Sequence, residues 1–507
     1  MQLWRTQKVR LSICNVKNKI VYLISMRNQY QKSIRNWNSM INNAIPAESK
    51  VKTPKVIMEE VVEEKIVEEK PKHIVIVGAG VAGINAATKL VDNGYPGEYI
   101  TIIDKGNDPH NRLPEEVMTG MLGAGGWSDG KLTYHTAIGG QLAKYCGEEK
   151  AMQLMDQVIS NFKRFHPQPE EIFMSDPQKE PKWIKPYFGL RMFPVWHIGS
   201  NFLHEIAKAW YQYLLDKGVK FEWKTEVEDI DFNDNRIYTH NTELKYDTLI
   251  FAVGKSGIDF AQRLSDEYTF PTEPKSVQIG VRFEAPQKYF QKLIDVSYDF
   301  KLYQKFDNVS LRSFCTNNNA AYVAVEETYG DVSYNGHAKK GKEFENQMTN
   351  FGILMEIKGI EDPFKWSRDV VQKLQINGTG LYYSPTRQPA LTSEGVTVSA
   401  TKIDTLELFK EAMGEYADYI IDFIADMNKV FKFDDDFGIY IPEVKYLSPE
   451  PLVNYHNLSL NQFPNVHFVG DALSARGITV SGAHGIYVAE KLIQHKHLIE
   501  LTQLEQY

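Results

Sequence analysis

A chain of 507 residues is too long for one simple core, and 43% hydrophobic with 12% aromatic residues is enough apolar material for roughly two to four domains. The net charge of −8 excludes a global attraction to nucleic acid or to an anionic membrane. Three cysteines without CxxC spacing (Cys14, Cys146 and Cys315) exclude a disulfide framework and a cysteine-rich metal site, and no run approaches the roughly 18–20 apolar residues of a spanning helix.

Residues 1–46 hold eight Lys or Arg and no acidic residue, and 48–72 alternate dense charge with valine. The second stretch reads as a solvated linker or short exposed helix. The first stays open between a bland appendage, a basic arm for a polyanion, an organelle-targeting presequence, and sequence upstream of a start at Met26. The expected location is cytoplasmic, with organelle targeting as the alternative.

"KHIVIVGAGVAGINAATKL" opens with a β-branched run, His73 to Val77, that predicts a buried parallel strand. The chain then turns through Gly78-Ala79-Gly80-Val81-Ala82-Gly83 into a helical pattern. Gly78 permits the turn, Gly80 lets backbone approach a pyrophosphate, and Gly83 lets helix and strand pack closely. The helix N-terminus presents free N–H groups to the phosphates. A second strand, "YITIID", ends at Asp104, where an acid accepts hydrogen bonds from ribose hydroxyls, and Lys105 after it joins the expected cofactor contacts. This unit reads as an adenine-dinucleotide site.

Next comes "GMLGAGGWSDGKL" (120–132), expected to lay Gly125, Gly126 and Ser128 against the cofactor, with Asp129 and Lys131 fixing the loop. Residues 137–189 read as helical, then irregular. "YDTLIFAVGKSG" (246–257) is a strand running into Ala252-Val253-Gly254. "FPNVHFVGDALSARGITVSGAHGIYVAEKLI" (463–493) is a strand ending in Gly470-Asp471, followed by a helix expected to open near Ser481-Gly482-Ala483. An acid after that strand suits the ribityl hydroxyls of FAD, and the helix dipole suits the flavin N1–C2=O edge. NAD has neither group, so the expected cofactor is FAD.

This ordered set resembles the glutathione-reductase-type FAD superfamily and, over residues 73–493, its FAD-dependent (NAD(FAD)-utilising) dehydrogenase family. "GAGGWSDGKL", "PVWHIGSNFL" (194–203), "FAVGKSGIDFAQRL", "VQIGVRFEAPQ" (277–287) and "RSFCTNNNAAYVAVEET" followed by "YNGHA" carry the resemblance. The chain departs from it at Asn317, where the family has a second cysteine, at "EVKYLSP" (443–449) and at "GDALSARGI" (470–478), so it looks like a divergent member. The resemblance implies an α/β protein: a discontinuous Rossmann-like FAD-binding domain with an inserted α+β substrate domain and a loosely attached N-terminal extension. The expected boundaries are 1–72 for the extension, 73–270 for the FAD-binding domain with a helical insertion at 137–189, 271–439 for the substrate domain, and 440–507 for the return. Val227 joins the cofactor contacts.

With no second GxGxxG and no dithiol, the expected reaction is hydride transfer between a substrate and flavin N5, with an unidentified electron acceptor or donor. Lys131, His135, His197 and His337 are the catalytic candidates, and Arg282 and Arg387 the candidates for holding a substrate anion. Cys315 alone reads as packing. Two other functions stay in view: a flavin-dependent lyase or modifying enzyme acting on a macromolecule-tethered group such as a nucleic-acid base, and a non-catalytic binding protein on the same fold.

Overall fold

The structure is a computed structural model that describes residues 70–505 except 114, 115, 274, 393, 394 and 448, with side chains described to residue 494. The expectations for residues 1–46, and for 48–72 up to residue 69, lie outside the described residues.

The fold is α/β. Five parallel strands make the first sheet: β1 (Ile74–Val77), β2 (Ile100–Ile103), β3 (Lys220–Glu222), β4 (Thr248–Phe251) and the late strand Val466–Phe468. β1 pairs with β2 on one side (Ile74 opposite Ile100) and with β4 on the other (Ile74 opposite Thr248), and the late strand adds outside β4. Every residue of β1, β2 and β4 is buried, which is why these strands read as unbroken apolar runs instead of alternating ones. β1 leads to β2 on one side while β4 returns on the other, so the carboxyl end of β1 is a topological switch point, where open α/β sheets bind ligands.

Helices cover this sheet. α1 (Val81–Asp92) follows β1, and α2 (Glu148–Phe165) lies within the segment expected to be helical. α3 (Leu203–Asp216) locks to α1 where Trp210 Nε1 donates to Thr88 Oγ1 at 2.7 Å.

The second sheet has eight strands and is mostly antiparallel. At its centre β5 (Val277–Pro286), β6 (Val309–Asn319), β7 (Met348–Ile357) and β8 (Gly438–Val444) lie in the order β8–β5–β7–β6. Alternation along β5 sends Val277, Ile279, Val281 and Phe283 into a core shared with Ile420, Phe423 and Met427 of α4 (Tyr416–Phe431). Gln278, Gly280 and Arg282 take the opposite face. Gly189–Met192 forms an edge strand of this sheet, and Ile184, Phe188 and Leu190 join its core.

The last helix, α5 (Ile478–Glu505), packs on α1 and α2 through glycines. A Cβ at Gly485 would stand 2.0 Å from the Ala82 carbonyl oxygen, and one at Gly482 would stand 2.9 Å from Val158 Cγ2. No helix among the described residues is long and apolar enough to cross a membrane.

Candidate functional site

A cleft of about 1490 Å³ runs from the carboxyl ends of the parallel strands to the polar face of the second sheet. Gly78, Gly80, Val81, Ala82, Asp104, Lys105, Gly125, Ser128, Lys131, Val227, Ala252, Gly254, Gly470 and Asp471 line it. Residues drawn from six separate stretches of sequence thus meet around one space.

At its head, Gly78 has φ +110 and its missing Cβ would stand 2.5 Å from the Ala252 carbonyl oxygen, so only glycine fits beside β4. Beyond it, a Cβ on Gly80 would meet nothing within 4 Å, because that position faces the open cleft. Ala79 and Gly83 lie outside the lining, and Gly83 packs α1 against the turn.

Asp104 does more than present an acid. Oδ2 accepts the Ala79 N–H at 2.8 Å, and Oδ1 accepts those of Gly106 (2.8 Å) and Gly120 (2.7 Å). Three of a carboxylate's roughly four acceptor positions are therefore spent on tying the turn to the following loop. Leu122 N–H donates to Ala79 O at 2.8 Å, so the glycine-rich loop runs along the nucleotide turn.

Arg112, which the sequence reading missed, holds the loop from inside. It donates to the carbonyls of Glu116, Val117, Met121 and Gly123. Burial pushes its guanidinium down to about 10, with Asp104 and Glu116 opposing the shift. Gly126 packs against this side chain, and Trp127 lies under the guanidinium at 5.4 Å, outside the lining.

At the far end of the first sheet, Asp471 Oδ2 pairs with Arg476 Nη1 at 2.7 Å, while Oδ1 has no partner among the described residues. Ser474 Oγ and Thr479 Oγ1 are likewise buried without partners, and all three residues line the cleft. Buried polar atoms are nearly always hydrogen-bonded, so this trio calls for a polar ligand. The hydroxyls and ring edge of FAD fit it. Burial raises the Asp471 carboxyl above its ordinary range, against the pull of Arg476 and two lysines.

The start of α5 corrects one expectation. The helix opens at Ile478, and Ser481 N–H is already spent on Gly477 O at 3.2 Å. The amides with no intrahelical partner are therefore those of Ile478, Thr479 and Val480. Gly482 and Ala483 lie inside the helix, pack against α1 and α2, and do not reach the cleft.

Lys131 sits in a buried network. Its Nζ pairs with Asp129 Oδ2 at 2.9 Å, approaches Asp299 Oδ1 at 3.9 Å, and donates to Thr316 O at 2.5 Å. Although burial disfavours its charge, Asp129 and its neighbours hold the ammonium protonated. Lys131 is thus a fixed cation in the wall, with Asp129 and Thr316 taking two of its three donors.

The histidines fare differently from the expectation. His135 is exposed, accepts the Ala137 N–H at 3.0 Å, and lies outside the lining. His197 is buried between Phe173 and Tyr298 and shares a 2.9 Å hydrogen bond with Ser175 Oγ. Burial first, then Lys131 and Lys340, push its imidazole down to about 3, so it stays neutral at physiological pH. It faces a smaller cavity of about 340 Å³ that shares Asp129 with the cleft. His337, opposite Tyr322 in the hairpin Ala321–Thr328/Asp331–Ala338, lines neither space.

Arg282 lies beneath the cleft floor, paired to Glu443 at 2.7 Å, and Arg387 pairs with Asp436 at 2.8 Å outside the lining. Neither is placed to receive an anion. Burial lifts the Glu443 carboxyl to about 7 against Arg282 and Lys445. Arg191, Lys301 and Lys305 line the cleft from the second sheet, Lys301 ion-paired to Asp299 and the other two exposed; the part-buried cations there with no ion pair among the described residues are Arg312 and Lys445. Only the register of strands distant in sequence brings them together.

No family model and no curated protein matches the chain. Among solved structures, it is similar to L-proline dehydrogenase from P. horikoshii (12% identity, 84% of this chain and 94% of that chain, TM-score 0.40). It is also similar to halogenase PltM in complex with ethyl mercury and mercury (13% identity, 84% and 70%, TM-score 0.39). A third is the tetrameric form of 2-methyl-3-hydroxypyridine-5-carboxylic acid oxygenase (13% identity, 84% and 83%, TM-score 0.34). At these TM-scores the likeness carries no argument about activity, which rests on the cleft's own geometry.

Proposed function

We propose that this chain is an FAD-dependent oxidoreductase, a divergent relative of the FAD-dependent dehydrogenase family, acting on a small substrate held against the second sheet. FAD, when bound, supplies the position at flavin N5 that takes or gives a hydride. The observation that carries this reading is the buried, unpartnered trio Asp471 Oδ1, Ser474 Oγ and Thr479 Oγ1, which lines the same cleft as the Gly78–Gly83 turn.

The chain's residues divide the work of binding. The first amides of α1 and its dipole would receive the pyrophosphate, and Gly80 leaves the backbone open to it. Asp471 would accept from the ribityl hydroxyls. The free amides of Ile478, Thr479 and Val480 would offer the positive end of α5 to negative charge on the reduced flavin. The Asp129–Lys131 pair, locked by Thr316 and Asp299, keeps the loop wall in place.

The test is the absorbance spectrum of the purified full-length protein. We expect a yellow preparation, or uptake of added FAD, that bleaches anaerobically with a suitable reductant. A colourless protein that takes up no added FAD would overturn the proposal.

A further inference from the structure

The cleft floor is the polar face of the second sheet, and its charges can be followed row by row. Residues opposite one another in a ladder share a face, as do residues i and i+2 along a strand. Lys445 bonds through its backbone N–H to Gln278 O at 2.8 Å, and Gln278 lies opposite Glu356. In the adjacent row Glu443 lies opposite Gly280, Gly280 opposite Leu354, and Leu354 opposite Arg312. Lys445 Nζ stands 3.7 Å over the ring of Phe314, which lies opposite Gly352 in the row beyond.

Most cations around the cleft already have an acid. Lys131 pairs with Asp129, Lys255 with Glu326, Lys275 with Glu450, Lys301 with Asp299, and Arg476 with Asp471. Lys445 and Arg312 are the part-buried exceptions: among the described residues neither has a carboxylate within ion-pairing distance, which is otherwise true only of the exposed lining cations Arg191, Lys305 and Lys358. Among the described residues Lys445 Nζ makes no hydrogen bond, and the Arg312 guanidinium makes a single one, from Nη2 to Gln278 Oε1 at 3.0 Å. The acid facing Arg312, Glu356, accepts from Ser276 Oγ at 2.8 Å, and the acid facing Lys445, Glu443, pairs through Oε1 with Arg282 while its Oε2 has no partner among the described residues.

Burial first, then the Arg312 guanidinium, pushes the Lys445 ammonium down to about 7, with Glu443 opposing and Arg476 adding to the repulsion. Two part-buried cations facing one cleft, neither closed into an ion pair and both with donors left over, are placed to receive an oxyanion from it.

We infer that Lys445 and Arg312 form an anion subsite on the cleft floor, and that the substrate carries a carboxylate or a phosphate group held there. This rests on reading the cleft as a flavin site, with the second sheet as its substrate wall. Arg312 offers a planar donor fork and Lys445 a point charge, and the ring of Phe314 gives an apolar surface beside the anion.

The experiment titrates FAD-loaded full-length protein with benzoate, phenyl phosphate and the neutral benzamide, following perturbation of the flavin visible band. Benzoate or phenyl phosphate should bind at least about tenfold more tightly than benzamide. Whichever of the two binds more tightly identifies the oxyanion. Lys445→Gln and Arg312→Gln should each remove most of that preference, and Lys445→Arg should retain it.

All variants should keep the wild-type FAD content and far-UV circular dichroism. Equal binding of the three probes would overturn the inference, as would unchanged anion preference in both Gln variants. Loss of FAD from folded Lys445→Gln or Arg312→Gln would assign the pair to the cofactor's phosphates and equally overturn it. If the protein takes up no FAD, the cofactor reading fails on its own. Calorimetric titration of the same full-length chain with the three probes then decides the anion subsite separately.

Discussion

The Cys315 thiol donates a hydrogen bond to Asp129 Oδ2 at 2.9 Å, joining two strips of chain 186 residues apart. Asp129 belongs to the glycine-rich loop of the nucleotide end. Cys315 sits at φ +51 in the bulge of β6 between Phe314 and Asn317. The same carboxylate oxygen holds Lys131 at 2.9 Å, so one acid fastens loop, strand and second sheet together. Burial, reinforced by Asp129, lifts the thiol to about 11, which keeps the proton on sulfur and the bond in place at neutral pH.

This geometry sets the cost of breaking it. Asp129→Asn leaves the Lys131 ammonium buried without its closest counter-charge, and should destabilise the fold by about 3–5 kcal/mol in urea unfolding. Cys315→Ser keeps a donor at the same place and should cost no more than about 1–2 kcal/mol. Equal losses in the two variants would show that the ion pair is not the stronger tie.

At the other end of the cleft, Asp471→Ala removes the acceptor assigned to the cofactor hydroxyls while leaving the helices packed. FAD retention after dialysis should fall about tenfold or more, with the thermal midpoint of the FAD-free protein little changed. Full FAD content in this variant would remove Asp471 from the cofactor site.

Two glycines in one turn should respond in opposite ways. A Cβ on Gly83 would stand 2.2 Å from Gly78 O and 2.9 Å from Ile76 Cγ2, so Gly83→Ala should cost about 1–3 kcal/mol of stability. Gly80→Ala meets no atom within 4 Å and should leave stability unchanged while weakening FAD uptake. Chemical unfolding paired with flavin absorbance separates the two effects.

Acid should destabilise the protein early. His197, His467 and His484 are buried, and burial holds their imidazoles at about 3, 4 and 3, below the ordinary value of 6.5. The folded state therefore keeps them neutral where the unfolded state takes up protons. Stability is intact above about pH 6.5 and falls as pH drops below it, by up to about 1.4 kcal/mol per pH unit per histidine. Neither ring nitrogen of His484 has a hydrogen-bond partner among the described residues. His484→Leu should make the decline in the urea midpoint between pH 6.5 and 5 shallower. An unaltered slope would show that His484 does not couple folding to protons.

Local rules made the nucleotide end legible. Buried parallel strands need continuous apolar runs, and the turn needs glycine where φ is positive or backbone crowds in. Both demands are written into His73–Gly83 and recur at Val466–Gly470, and the apolar run recurs at Thr248–Phe251, so the strands and their order along the chain followed from short stretches. The alternation in "SVQIGVRFEA" likewise assigns Gln278, Gly280 and Arg282 to one face of β5 before any partner strand is known.

Pairing is what local rules could not supply. Asp104 has the spacing of a ribose ligand, yet three backbone amides from two loops converge on it. Glycine spacing alone suggested a helix opening at Ser481–Ala483, whereas the contacts of Gly482 and Gly485 with α2 and α1 place those residues within α5. Arg282 lies on β5 and Lys445 directly follows β8 of the same sheet, and only the register gives Arg282 an acid and leaves Lys445 beside Arg312 without one. Sequence periodicity fixes which face a side chain takes, but the charge it meets there depends on strands brought together by the packing of the whole sheet.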